Sequence, residues 1–207
     1  MDAITYQIGD SLYLNITNRC TNECTFCVRY KTRIFNGKYP LWLDREPTTE
    51  EILKAIGDPK RYKEIVFCGY GEPLIRLETV KEVARKIKGH ESWVLGHGSI
   101  RIDTNGEANL FYQRNILPEI KGLIDSISIS LNAENAEVYD KLCRSIYGKK
   151  AFDAIIEFIK ESKKHIPEVE ITVVDLPKID KKACEKIAKD LGVKFRVRPY
   201  YEEKYKR

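Results

Sequence analysis

The sequence predicts an α/β fold: a partial (β/α)6, TIM-like barrel of six parallel strands, forming a single domain over residues 1–207. Three observations carry that expectation. Strand-like and helix-like segments alternate along the chain, which implies parallel strands joined by helical crossovers. The strand-like segments number six. Several of them keep one polar phase, whereas strands covered by helices on both faces read as continuous apolar runs.

The elements follow in order. SLYLNIT (11–17) alternates Leu12, Leu14 and Ile16 with Tyr13, Asn15 and Thr17, a period of two. TTEEILKAIG is a helix, with Thr48 and Glu51 as a capping box and Gly57 as its stop. EIVFC (64–68) is a short apolar strand, and RLETVKEVARKIKG a helix ending at Gly89. SIRIDT (99–104) is the third strand; a helix or irregular segment then runs to Ile120. SISISL (126–131) alternates strictly. Residues 134–145 and 150–165 read as helices, the second with an apolar stripe of Phe152, Ile155, Ile156 and Ile159. EITVVD (170–175) is the fifth strand. Asp180 caps a helix that stops at Gly192, and KFRVRP (194–199) is the sixth strand. Interior strands with a polar phase imply a wet lumen, and a barrel of this kind builds its active site at the C-terminal strand ends.

Composition bounds the function. Hydrophobic residues make up 43% and charged residues 32%, an ordinary globular balance with no apolar run long enough for a membrane helix. MDAITYQIGD has no basic region followed by an apolar one, and the six cysteines are scattered. This predicts a reducing, cytoplasmic compartment with free or metal-bound thiols. The net charge of +5 gathers between Lys31 and Lys38 and in the C-terminal KFRVRPYYEEKYKR. It suits an anionic ligand or nucleic acid, but alternating Lys and Glu on solvated helix faces explain it equally.

Directly after the first strand, RCTNECTFC places Cys20, Cys24 and Cys27 in a C-x3-C-x2-C spacing. A closed zinc site or iron–sulfur cluster normally takes four ligands. Three thiolates leave one iron open for substrate chemistry. The alternative is zinc completed by Cys68, Cys143, Cys184 or one of His90, His97 and His165. None of those cysteines forms a second close pair in sequence, and buried cysteines often act as small hydrophobes.

The spacing, with aromatic Phe26 before the last cysteine, resembles the signature of the radical SAM family. The resemblance implies a [4Fe–4S] cluster on Cys20, Cys24 and Cys27 and S-adenosylmethionine (SAM) on the open iron. It further implies reductive cleavage of SAM to a 5′-deoxyadenosyl radical that abstracts hydrogen, and an electron donor such as flavodoxin or ferredoxin. CGYGEP (68–73) resembles the family's GGEP motif, with Tyr70 in place of its first glycine. Gly71, Glu72 and Pro73 are thereby expected at the SAM amino group. Asp103, Thr104 and Asn105 in DTNG resemble a SAM-adjacent stretch of glycyl-radical-enzyme activating proteins. Ser130 and Asn132 in SLNA stand where SAM ribose or carboxylate contacts are expected; the activating proteins carry Asp and Lys there. Tyr200 in RPYY resembles part of a Pro-Tyr-His stretch, with Tyr201 replacing the histidine. Taken whole, the motifs resemble most closely the TatD-linked radical SAM proteins, for which no substrate follows.

Arg101, Arg196 and Arg198 share the inward phase with Asp103 and Ser128, and predict a cationic lumen for a carboxylate or phosphate unless internal carboxylates pair them. The aromatic, basic segment 28–47 is expected to cover the site, with Trp42 buried and Lys31 and Arg33 exposed. Three readings follow. One is a radical SAM enzyme on a small or nucleotide-derived substrate. Another is an activating enzyme or peptide modifier acting on a partner protein. The last is a non-enzymatic metal-binding module.

Overall fold

The computed structural model describes residues 3–89 and 98–200. His90, His97 and Tyr201, named above, lie outside the described residues, as does the basic run after Tyr200. The elements are β1 (Thr5–Ile8), β2 (Ser11–Leu14), β3 (Ile34–Phe35), β4 (Tyr39–Pro40), α1 (Thr49–Ile56), β5 (Glu64–Phe67), α2 (Leu77–Lys88) and β6 (Ser99–Thr104). They continue with α3 (Ala108–Tyr112), α4 (Leu117–Ile120), β7 (Ser126–Ser130), α5 (Ala136–Cys143), α6 (Lys150–His165), β8 (Glu168–Val174), α7 (Lys181–Leu191) and β9 (Lys194–Arg198).

The main sheet runs β1-β2-β5-β6-β7-β8-β9. From β2 onward every neighbour is parallel, at the six segments expected from the sequence. The count of six is corrected by β1, a seventh strand antiparallel to β2 at the sheet edge. Residues 5–8 alternate Tyr6 and Ile8 with Thr5 and Gln7, but the strand is only four residues long and only Tyr6 is buried in it. A separate two-stranded ribbon, β3-β4, sits in the segment between β2 and α1.

The parallel strands are neighbours in chain order, with no reversal. Right-handed crossovers then place every helix on the same face of the sheet. The core agrees. Leu14, Phe67, Ile102, Ile127, Ile129, Ile171 and Val173 from one sheet face pack with Ile52, Val80, Val83, Leu117, Ile155, Phe158, Ile159 and Cys184 from the helices. The register carries this phase across the sheet, pairing Leu14 with Phe67, Phe67 with Ile102, Ile102 with Ile127 and Ile129 with Ile171. Burying each such side chain contributes roughly 1.5–3 kcal/mol. The opposite face carries Tyr13, Arg101, Asp103, Ser128, Glu170, Thr172, Arg196 and Arg198. One-sided helix cover is the arrangement of a barrel wall, not of a doubly wound sheet.

The expected helix ends are observed. Thr48 accepts from the Glu51 amide while Glu51 reaches back to the Thr48 amide, and Asp180 accepts from the Ala183 amide. The uncertain stretch after β6 resolves into two short helices, α3 and α4. Segment 28–47 departs from expectation. Leu41 and Leu43 are the buried plug, whereas Trp42 is only half-buried, with the Arg33 guanidinium 5.3 Å from its ring centre. Alternation explains the swap: with Leu41 and Leu43 inward, the residue between them faces out.

Thr48→Ala removes the hydroxyl that accepts from the Glu51 amide and should lower stability by about 1 kcal/mol, read as a lower denaturant midpoint at unchanged slope.

Candidate metal centre

The chain leaves β2 and immediately forms the cysteine loop, residues 18–27. Two walls hold it. On one side the Asn18 amide pairs both ways with the Leu43 backbone, donating at 2.7 Å and accepting at 3.1 Å. Glu46 joins this wall by accepting from Thr17 Oγ1 at 2.6 Å and Arg19 Nε at 2.7 Å. On the other side the loop amides of Glu23 and Thr25 donate to the last carbonyls of α5, Cys143 O at 3.1 Å and Leu142 O at 2.8 Å. Carbonyls at a helix C-terminus lack intrahelical partners, so the loop satisfies them.

The glycines of CGYGEP are explained by close backbone approach. A Cβ on Gly71 would stand 2.5 Å from both Arg19 O and Thr17 O. That approach lets the Glu72 amide donate to Arg19 O at 2.8 Å. The Glu72 side chain is buried and accepts three protein hydrogen bonds: Leu74 N at 3.0 Å, Thr104 Oγ1 at 2.8 Å and Asn105 N at 2.7 Å. Asn105 in turn donates to Thr21 Oγ1 at 2.7 Å and stands 3.9 Å from Cys20 Sγ. The ends of β2, β5 and β6 are thus tied at one point beside the first cysteine. Burial pushes Glu72 up to about 7 despite those three donors.

The thiols of Cys20, Cys24 and Cys27 are all free and partly exposed. Burial, reinforced by Glu72, pushes Cys20 up to about 12, and burial raises Cys27. Cys24 is lowered by a hydrogen bond from the Cys143 thiol, which is itself raised well above its usual value. Cys143, fully buried on α5, therefore lies against the second cysteine, a neighbour that the sequence spacing did not reveal. Arg29 spans the loop, donating to Asn18 O and Asn22 O at 2.9 Å each, and its buried Nε has no partner. Among the described residues no three Cys, His, Asp or Glu side chains converge on one ion position. The donor chemistry fits an iron–sulfur centre in its three thiols on one short loop with a cation beside them; Cys143, the fourth cysteine that a zinc site could recruit, stands against Cys24 but fully buried on α5, and does not converge with the others on one ion position.

Sequence reasoning missed Glu107, one residue beyond DTNG. It is 1% exposed. It accepts from Tyr139 Oη at 2.9 Å and Ser145 Oγ at 3.1 Å. The Asn22 amide, with its nitrogen toward the carboxylate, adds donations at 2.9 and 3.1 Å. Burial raises its pKa. Glu107 thereby fastens the cysteine loop to α5 from below. A lone Glu at a helix start gives no sequence signal for this.

The remaining expected residues are placed as follows. Phe26 packs partly buried on the main core, and buried Pro73 starts the 3-10 turn Pro73–Arg76. Asn132, at φ 53°, accepts from the Val174 amide at 3.1 Å, a tie between the ends of β7 and β8. Ser130 Oγ accepts from Arg198 Nη2 at 3.1 Å. Tyr200 is half-buried just past β9. Asp103 faces the lumen, where it pairs with Arg101. Arg101 also pairs with Glu64 at 3.1 Å, and Arg196 pairs with Glu170 at 2.7 Å. Two of the three lumen arginines are thus matched by internal carboxylates.

A barrel wall with three thiols and a tied set of polar groups at its C-terminal strand ends defines an open thiolate centre. The profile of the Radical SAM superfamily matches residues 14–191, and the chain belongs to that family. It is 30% identical over 171 residues to a probable dual-specificity RNA methyltransferase RlmN 1 of Protochlamydia amoebophila, covering 79% of this chain and 44% of that protein. It is 29% identical over 170 residues to a GTP 3′,8-cyclase of Lactiplantibacillus plantarum, covering 81% and 46%. The chain thus spans just under half the length of these curated relatives. A radical SAM methyltransferase from Sphaerobacter thermophilus shares the fold with a TM-score of 0.62 at 17% identity, over 94% of this chain and 57% of that one. Membership of that family implies a [4Fe–4S] cluster and SAM as cofactors.

Gly71→Ala should cost about 1–3 kcal/mol and lower iron retention after reconstitution, because the new Cβ must push Arg19 and the cysteine loop away. Glu72 sets a pH dependence. Its folded pKa lies above the usual carboxylate value, so the protonated form favours folding. That contribution is full at low pH and is lost as pH rises through about 7. The thermal midpoint should fall over that window, and less steeply in Glu72→Gln.

Proposed function

We propose that Cys20, Cys24 and Cys27 hold the cluster and that the ends of β5, β6 and β7 hold SAM. Held there, the cluster would supply the electron for reductive cleavage of SAM, and with it the hydrogen-abstraction chemistry of the family. The observation that carries this reading is the tie through Glu72, which brings three strand ends to the first cysteine. Glu72 Oε2 accepts only the Asn105 amide among the described residues, and so keeps a lone pair for an ammonium group. Asn132 commits its oxygen to Val174 and keeps its amide donors for a hydroxyl or carboxylate. Asn105, Glu107 and Arg29 hold the loop in place and touch no substrate. Phe26 and Pro73 act by packing, and Asp103, Thr104 and Tyr200 complete the rim.

A hollow of about 440 Å³ opens beside Cys20, lined by Arg19, Arg29, Tyr30, Phe111 and Ile146. Tyr30, Phe111 and Ile146 are among the most exposed large apolar side chains of the described surface. An electron donor such as flavodoxin or ferredoxin would find an apolar and basic docking rim there, within reach of the cluster. Among the described residues no helix is long and apolar enough to cross a membrane, and we read the protein as cytoplasmic.

The relatives named above act on RNA and on GTP by their names, which favours a nucleotide-derived, anionic substrate here. Residues 1–207 are read as one radical SAM core. The full motif set, from YLNITNRC to FRVRPY, further favours the TatD-linked subgroup.

Anaerobic reconstitution with iron and sulfide, followed by reductant and SAM, should yield 5′-deoxyadenosine. Cys24→Ala should lose both the cluster absorbance and that product; retention of both would overturn the assignment.

A further inference from the structure

Three arginines share the polar phase of the sheet with Glu64, Asp103 and Glu170, beside a separate ion pair of Lys194 with Glu168 at 2.7 Å. They balance in number but not in place. Arg101 holds two carboxylates, Glu64 and Asp103, and Arg196 holds Glu170. Arg198 forms no ion pair among the described residues. Its one side-chain hydrogen bond there runs from Nη2 to Ser130 Oγ at 3.1 Å, and its Nε is buried without a partner. A buried donor left unpaired is destabilising, and more so when the group is charged. An interior that pairs two of its cations and strands the third at the catalytic end of its strand is incomplete by itself.

The backbone fixes where this cation sits. Arg198 is the last residue of β9, opposite Val174, and its carbonyl accepts from the Asp175 amide at 2.8 Å. Burial raises Asp103 and Cys68 above their usual values, and the Arg198 charge across the face works against that rise. Ser130, its one partner, ends β7 two strands away. The group therefore spans the C-terminal mouth of the lumen, below the strand ends tied to the cysteine loop. A guanidinium presents donors in a flat fork that matches two oxygens of a carboxylate or phosphate.

We propose that Arg198, steadied by its hydrogen bond to Ser130, is the anchor for a phosphate or carboxylate group of the substrate, and that Arg101 and Arg196 are not; Ser130 itself stays with the SAM side of the site. This rests on the radical SAM reading only for the identity of the second ligand in the lumen. The oxyanion chemistry is shared by a substrate phosphate, a substrate carboxylate and the carboxylate of SAM, and the test separates them.

The test measures the thermal midpoint of the cluster-loaded protein, kept anaerobic, against inorganic phosphate and against acetate at constant ionic strength. Wild type should be stabilised by at least one of the two anions, saturably. The anion that acts names the group. Arg198→Gln should weaken that apparent affinity about ten- to a hundredfold. Arg198→Lys, which keeps the charge and loses the fork, should weaken it less and guards against misfolding of the Gln variant. Arg196→Gln should leave it within about twofold of wild type. No saturable effect in wild type, or equal effects in wild type and Arg198→Gln, overturns the anchor. Equal loss in Arg196→Gln and Arg198→Gln overturns the choice of Arg198 as the single anchor. Saturating SAM should leave the anion effect in place; competition overturns the assignment to substrate and hands Arg198 to the SAM carboxylate. Iron content and 5′-deoxyadenosine are measured on the same samples. Their absence in wild type would sink the radical reading, while the anion response would still report on Arg198.

Discussion

The whole site depends on one hydrogen-bonded junction at Glu72. Its amide takes the carbonyl of Arg19, and its carboxylate takes Thr104 and Asn105. The strands β2, β5 and β6 would otherwise end as three independent loops. Here they end as one. The junction needs Gly71, because any side chain there would strike the backbone of the cysteine loop. It also needs burial, since a buried carboxylate is tolerated only when its oxygens are met by donors. A motif that looks built only for a ligand is first of all a piece of architecture.

The same division of labour repeats around the cysteines. Asn18, Glu46 and Leu43 hold one flank, and Glu107, Tyr139 and Ser145 hold the other. None of these side chains has to touch a cofactor. They make the loop a fixed platform, which a reaction confined to one open coordination position requires. The position of Cys143 against Cys24 belongs to this platform, since α5 delivers both Cys143 and the carbonyls that bind the loop. The sheet contributes at a longer range. With every helix on one face, the other face carries a small apolar cluster of Tyr6, Leu41 and Tyr70 at its β1–β2 end and polar side chains from β6 to β9, where charge has to be balanced locally or by a guest.

Much of the fold could be read along the chain, because its signals are local. Alternation of Ile127 and Ile129 with Ser126, Ser128 and Ser130 identifies a strand with one wet face. Thr48 and Glu51 identify a helix start within four residues. The spacing of Cys20, Cys24 and Cys27 points to a loop with three ligands. The misses are of a different kind. β1 alternates Tyr6 and Ile8 with Thr5 and Gln7 but is too short to stand out, and Trp42 is aromatic yet lies on the outward phase between Leu41 and Leu43.

What the sequence by itself determined was the order of strands and helices, the polar phase, and the place of three cysteines on one loop after β2. Each of these is written in residues a few positions apart. Tertiary structure alone decided which charges are neutralised and which thiols meet. Arg101 and Glu64 are 37 residues apart, and Arg198 and Ser130 are 68. Arg101, Arg196 and Arg198 look alike in sequence. Only the folded sheet gives carboxylates to the first two and withholds one from the third, because ion pairing is set by distance in space and no local period encodes it.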